Sequence, residues 1–420
     1  MKSSFRIARR KLSLLGGLGF ILNLHLLTFH RTANTQGRSP KEPPVWTSFG
    51  LNGGPDDQRF DLTRKFVNRP LADPSAFEFM RPKLTKYLQK HSPPTVQFKD
   101  QIIFGQNKII GFAHDYEVAL GLRLDRLAAG ANQLIVFMSG VGLIMDFIPD
   151  GNSGYWKIIS SFPFMLRYQT QGGDLTNIQG KAIEKMDDVY EGYAQAFSFF
   201  TQRFNKWDKD QVSKVSFAQL KKVDMHRDAS SLFKKIKIDG FFNEKFIGIS
   251  TSTFLCDKLD IPLLPFVATD SAFRWGAKYK DSIKTSSTPK IPDADLTFDI
   301  VIRHADKKLT PSSQYGLTII KRTLVINFKA YFDLGAGPGQ IFQTLALVDN
   351  EDRIPYGANE EDDTPERDII FFDRLLSKLL SNLLTGIMNK DTKLLTEISV
   401  NLDKIEPQIP LFLQRCSSVR

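Results

Sequence analysis

A chain of 420 residues with 42% hydrophobic content can bury a sizeable core and has room for two or three domains. Two cysteines, Cys256 and Cys416, are too few for a disulfide framework or a thiolate zinc site, although one long-range bridge stays open in an oxidising compartment. The net charge of +10 is local: Lys2, Arg6, Arg9, Arg10, Lys11, Arg31, Arg38 and Lys41 fall in an acid-free stretch, and removing those eight from the 56 basic residues leaves 48 against 46 acidic ones. A nearly neutral body carries no nucleic-acid footprint.

The basic cluster precedes Leu12 to Phe29 (LSLLGGLGFILNLHLLTF), an uncharged, mostly apolar run of 18 residues. That is near the lower limit for spanning a bilayer and long for a secretory signal core. As a signal anchor it leaves the N-terminus cytoplasmic and the body outside, because the positive charges before it outnumber Arg31 just after it. A cleaved secretory signal is a second reading, with Ala33-Asn34-Thr35 as a poor cleavage site. A mitochondrial presequence is a third, from the Arg-rich, acid-free composition. Arg9-Arg10-Lys11-Leu12-Ser13-Leu14 resembles the twin-arginine export signal of bacteria, which implies the periplasm. Each reading makes residues 1–33 an address, and the first two make the membrane or the cell envelope the destination.

Residues 34–98, rich in Pro, Asn, Ser and charge, read as a linker and irregular segment, with a short helix from Pro74 to Gln89. The following region, 99–275, reads as α+β. Val96 to Ile110 suggests a strand pair turning at Gly105-Gln106-Asn107, and Ala113 to Ala129 suggests a helix stopped by Gly130. The centre of this region is Gln133 to Tyr168: apolar strand-like runs broken at Ser139-Gly140 and turned at Pro149-Asp150-Gly151-Asn152-Ser153-Gly154. Leu143, Met145 and Phe147 alternate before the turn, and Trp156, Ile158, Ser160, Phe162 and Phe164 after it, predicting a hairpin with one apolar face that needs a cover.

Ile183, Met186, Tyr190, Tyr193, Phe197, Phe200 and Phe204 recur at alternating spacings of three and four, predicting a helix from near Asp174 that is buried against a sheet. A short strand is expected at Val212 to Phe217, then a Lys-rich polar region, a helix from Asn243 to Leu259, and an edge or extended segment at Ile261 to Val267, where two prolines exclude a central strand. Residues 276–295 form a polar loop. The strand-rich region 296–390 alternates at Leu296 to Arg303, at Leu324 to Phe332 and at Ile341 to Val348, and an acidic loop follows from Asp349 to Asp363. Thr364-Pro365 then starts a second cover helix running to about Met388, and the tail, 391–420, reads as irregular or weakly helical. There is no repeat of solenoid or propeller period.

Asp333-Leu334-Gly335-Ala336-Gly337-Pro338-Gly339 resembles the glycine-rich first motif of class I methyltransferases. The resemblance implies S-adenosylmethionine as cofactor, lined by Asp333, Gly335, Gly337 and Gly339. A hairpin loop accounts for the same glycines without a ligand. Gly140-Val141-Gly142 lacks the third glycine of a dinucleotide fingerprint, and Gly151-Asn152-Ser153-Gly154 resembles the nucleophile loop of chymotrypsin-like proteases only faintly. His114 has Asp115 and Glu117 beside it, His226 has Asp224 and Asp228, and His304 has Asp306; no metal motif matches, and solvated polar residues are the expectation. Glu360-Glu361-Asp362-Asp363 lacks the alternation of a calcium loop.

The expected architecture is α+β: a largely antiparallel β-sheet covered by two long amphipathic helices, preceded by an N-terminal apolar anchor or signal segment. The expected function is that of a membrane-anchored or exported cell-envelope protein acting by binding a ligand or partner, with the methyltransferase as the alternative.

Overall fold

The computed structural model describes residues 45–51, 58–68, 74–91, 97–98, 109–123, 132–150, 153–171, 176–207, 217–266, 292–312, 317–333, 337–355 and 363–419. They form a mixed α+β architecture with two multistranded sheets. The apolar run at 12–29, the turn expected at 105–107 and most of the 276–295 loop lie outside these residues. Among those described, no helix is long and apolar enough to cross a membrane.

The first sheet contains β1 (Val45–Leu51), β2 (Ile109–Arg123), β3 (Asn132–Asp150) and β4 (Ser153–Gln171) in that spatial order. β1 runs parallel to β2, and the others are antiparallel. Helices α1 (Asp61–Val67) and α2 (Pro74–His91) lie between β1 and β2 in the chain. Residues expected as linker thus enter the core, with Trp46, Phe60, Leu84 and Leu88 buried. Of the helix expected at 113–129, residues 124–129 lie outside the described residues, and 113–123 are instead most of β2. Its Ala, Leu and Glu favour helix locally, but β2 pairs with β3 along nearly its whole length, and that cross-strand pairing overrides propensity.

The predicted hairpin is β3 and β4, closed by the pair Asp150 and Ser153. It differs from expectation in two ways. The chain passes through Ser139-Gly140 without a break, and β3 is buried at every residue from Leu134 to Met145, so both faces are covered. A bulge at Ile159 also reverses the side-chain alternation of β4. Phe162 and Phe164 therefore join the main core, while Ile158 packs with Val141, Leu143 and Met145 on the opposite side. Helices α3 (Ile178–Glu184) and α4 (Met186–Trp207) follow, with Asn177 accepting from the Gly180 N–H at 2.9 Å as the cap. α4 buries Met186, Tyr190 and Tyr193 against β3 and β4; the side chains of Phe197, Phe200 and Phe204 lie outside the described set.

The second sheet has the order β6-β5-β7-β8-β9. β5 (Ala218–Met225) leads to α5 (Arg227–Lys235) and α6 (Glu244–Leu259), and β6 (Leu263–Leu264) is the expected proline-flanked edge segment. Strands β7 (Leu296–Ser312), β8 (Leu317–Asp333) and β9 (Pro338–Pro355) form an antiparallel meander. β9 therefore continues through residues expected as acidic loop. Helix α7 (Pro365–Asn389) begins where Thr364 accepts from the Arg367 N–H and covers β8 and β9. The tail is not irregular: it forms α8 (Thr392–Glu397), α9 (Leu402–Ile405) and α10 (Ile409–Ser417). Leu395, Ile405 and Phe412 are buried there, the last with its ring 4.9 Å from that of Phe342. Short helices with few apolar residues each have weak periodicity, and burial against β9 supplies what propensity lacks.

The two sheets repeat one plan: a strand, two helices, a short parallel edge contact, a three-stranded meander and a long cover helix. The edge contacts correspond, Val45 bridging Gln97 in parallel and Ala218 pairing with Leu263 in parallel. So do the bulges. The first strands shift between Trp46 and Phe49 and between Leu220 and Lys222, and the first meander strands carry Asp115 and Arg303 as extra residues. The third meander strands carry Ile159 and Ile341. Along the middle strands, the two bulge positions are the same distance apart, Gly140 to Ile144 and Ile326 to Ala330. The similarity lies in backbone register, which is why no periodicity of residue types reveals it.

Candidate functional site

Three places in the described residues either bury ionisable groups together or leave space for a ligand. The first is a buried network under β2. Its bulge at Asp115 lets His114 and Glu117, three apart in sequence, pair with Gly140 and Met138, two apart on β3, and so share a face. Glu117 Oε1 accepts from the Thr63 N–H at 2.7 Å, and Oε2 accepts from the Thr63 hydroxyl at 2.6 Å. Because the Thr63 proton is committed to Glu117, the Tyr190 hydroxyl donates to Thr63 Oγ1, at 2.5 Å. His114 Nε2 stands 3.1 Å from Glu117 Oε2, its ring between Phe60 and Tyr193. Asp115 turns the other way, to Lys245 of α6 at 3.1 Å and Arg59 at 3.9 Å. Gly140 is required beneath Tyr193, since a Cβ there would overlap the phenol and lie 2.8 Å from the Ala113 carbonyl.

The expectation that His114, Asp115 and Glu117 are solvated is therefore corrected: all three are buried. The repeat shows that the fold does not require polar groups here. The positions matching His114 and Glu117 in the second sheet are Ile302 and Ala305, both buried.

Tyr190 and Tyr193 are held well above the ordinary tyrosine range, foremost by burial, and then by the Glu117 charge for Tyr190 and by Tyr190 for Tyr193. The unfolded chain releases these protons at about pH 10 and the folded protein retains them. Their contribution is thus intact below that pH and declines above it, by about 1.4 kcal/mol per pH unit for each phenol. Urea titrations at stepped alkaline pH are expected to show a shallower decline for Tyr190→Phe than for the parent protein.

The second place is an ionic cluster at the start of α7. Arg322 of β8, fully buried, donates through Nε to Asp368 Oδ1 at 2.7 Å, and its Nη1 lies 3.6 Å from Asp352. Lys307 of β7 bonds Asp363 at 2.6 Å and Asp368 at 2.7 Å. Arg367 pairs with Asp352 through Nε and Nη2, at 2.5 and 2.8 Å. Three cations face three carboxylates, so the charge closes on itself and pins α7 to the sheet.

The third place is a cleft of about 470 Å³ where β4, the outer strand of its sheet, passes between α4 and α6. Phe164, Leu166, Ala196 and Phe254 supply apolar walls. Arg167 stands at its margin, clamped to Asp373 at 2.8 and 2.7 Å and to Ser377 at 3.1 Å. Asp257, also lining it, pairs with Lys258 at 2.9 Å. Ser250 lines it too, 1% exposed, and its hydroxyl has no hydrogen-bond partner among the described residues. Phe164 separates this cleft from the buried network, its ring 4.6 Å from that of Tyr193.

Apart from His114, Asp115, Glu117 and Asp363, the residues singled out by sequence fall elsewhere. Asp333 pairs with Pro338 across the β8–β9 hairpin, and a strand, not a helix, follows Gly337 and Gly339; Gly335 lies outside the described residues. Gly337 has φ +101°, the left-handed backbone a tight loop needs. Gly140 and Gly142 are mid-strand, and the turn residues Gly151 and Asn152 are outside the described set. His226 lies 3.5 Å from Asp228, half exposed, and His304 is exposed on β7. Asp363 of the acidic run joins the ionic cluster, and residues 360–362 are outside the described set. Cys256 and Cys416 are separate buried thiols, not a bridge. Among the described residues no group of three His, Cys, Asp or Glu side chains is arranged to hold a metal ion. Thr63, Arg167 and Ser250 carried no sequence signal beyond their residue types, and Tyr190 only its place in the helical stripe.

No known protein-family model matches this chain, and no curated protein sequence matches it.

Proposed function

We propose that this chain is a non-enzymatic binding protein of the cell envelope, held at the membrane or exported by residues 1–33, with its body outside the cytoplasm. The observation that supports binding over catalysis is the division of labour among the three places. The titratable groups that cluster in the core are buried against one another, and the cleft that could admit a molecule is walled mainly by apolar groups, with its Arg and Asp already paired. The address rests on the acid-free basic cluster and the apolar run after it.

Fractionation of the native protein, with mass spectrometry of its N-terminus and a carbonate wash of the membranes, tests the address. An intact Met1 in the washed membrane fraction is the expected result. A new N-terminus between about Thr32 and Glu42 on a soluble exported body would replace the anchor by a cleaved signal, and an intact chain in the cytosol would overturn the address. The methyltransferase alternative places S-adenosylmethionine at Asp333, Gly335, Gly337 and Gly339. It predicts cofactor binding that Gly337→Val abolishes, whereas a plain hairpin loop predicts no binding.

A further inference from the structure

We propose that the cleft between α4 and α6 takes an uncharged, largely apolar small molecule bearing one hydroxyl or carbonyl group, which Ser250 recognises. This names the ligand class for the binding function above and rests on that reading. The volume, about 470 Å³, falls within the range of small-molecule sites, and apolar walls with a few placed polar groups are their usual composition.

The ligand is uncharged because the cleft offers no unbalanced charge. Arg167 is held bidentately by Asp373, and Asp257 sits against Lys258, so a charged ligand would lose its hydration without gaining a counterion. The ligand has a polar group because of Ser250. One turn along the same helix, Thr253 returns its hydroxyl to the Ile249 carbonyl at 2.9 Å, the usual arrangement for such a residue in a helix. Ser250 makes no such bond, nor do its neighbours Thr251 and Ser252, and of these three Ser250 is the one that lines the cleft; a buried hydroxyl without a partner is costly unless something else supplies one. Gly192 leaves the opposite wall open. Among the described residues a Cβ there would meet only Leu166, at 3.4 Å, so a larger side chain would extend into the cleft without disturbing the backbone.

The test is displacement of the uncharged fluorophore N-phenylnaphthylamine from the full chain by dodecanol, dodecanoate and dodecyltrimethylammonium. Dodecanol is expected to compete best. Ser250→Ala is expected to weaken it roughly three- to tenfold, the loss of one neutral hydrogen bond. Gly192→Leu is expected to remove most of the binding while circular dichroism and Tm stay at parental values; every variant keeps the same N-terminal apolar run, so the difference reports the cleft. Equal competition by either charged amphiphile, no effect of Gly192→Leu, or no displacement at all would each overturn the assignment. Those outcomes leave the wider binding function standing, since a partner elsewhere would satisfy it. Turnover of a bound compound would overturn the binding function itself.

Discussion

Arg322→Met is expected to destabilise the protein by about 3–5 kcal/mol, the cost of removing one partner from a buried ion network. The guanidinium is fully buried, with its Nε on Asp368 and Asp352 and Asp363 within 4 Å. Without it, Lys307 and Arg367 face three carboxylates in an interior that cannot hydrate the excess charge. Methionine fills most of the volume, so the loss reports charge more than cavity. Urea unfolding measures the change, and the double variant Arg322→Met/Asp368→Asn is expected to recover part of it, because the two residues share one network. The position matching Arg322 in the first sheet is the buried Val136, so the fold itself tolerates an apolar residue there. A cost under about 1 kcal/mol would mean that water reaches the cluster.

The second large effect is expected at Glu117, whose replacement by Ala should cost about 2–4 kcal/mol. The first turn of α1 has no cap from its own N-terminal residue, Phe60. Glu117 supplies one from across the core by accepting the Thr63 N–H and hydroxyl together. Alanine leaves both Thr63 donors buried without the carboxylate and takes away the His114 bond to Glu117, while the Tyr190 bond to Thr63 loses the acceptor that fixes its direction. Glu117→Gln keeps one acceptor and is expected to lose less. Substituting His114→Ile with Glu117→Ala copies the residues of the second sheet, Ile302 and Ala305, and is expected to cost less than the two single changes added together. Full additivity would mean that the network is a set of independent bonds.

The sequence was most legible where one residue type does a local job. Asn243 caps α6, accepting from the Phe246 N–H at 3.1 Å, and Thr364 with Pro365 starts α7, both near the predicted positions. The alternation of Leu324 to Phe332 marks the middle strand of a meander. The sequence of β2 reads as helix because its local preference and its tertiary pairing disagree, and pairing along β3 prevails. The cleft was invisible for a related reason. Phe164, Gly192 and Ser250 come from three elements far apart in the chain, and only packing brings them together.

By itself the amino-acid sequence determined the class of the fold, the central hairpin, the helical stretches at about 176–205, which the structure divides at Lys185, and 365–388, and the concentration of charge in residues 1–41, because helix caps, periodicity and net charge are properties of neighbours in the chain. Only the tertiary structure decided that the linker and the tail belong to the core, that two sheets share one plan, and that His114 and Glu117 meet Thr63 under one face. A single inserted residue at Asp115 reverses the side-chain alternation of its strand, and whether such a residue bulges or pairs is settled by the neighbouring strand and not by the residue itself.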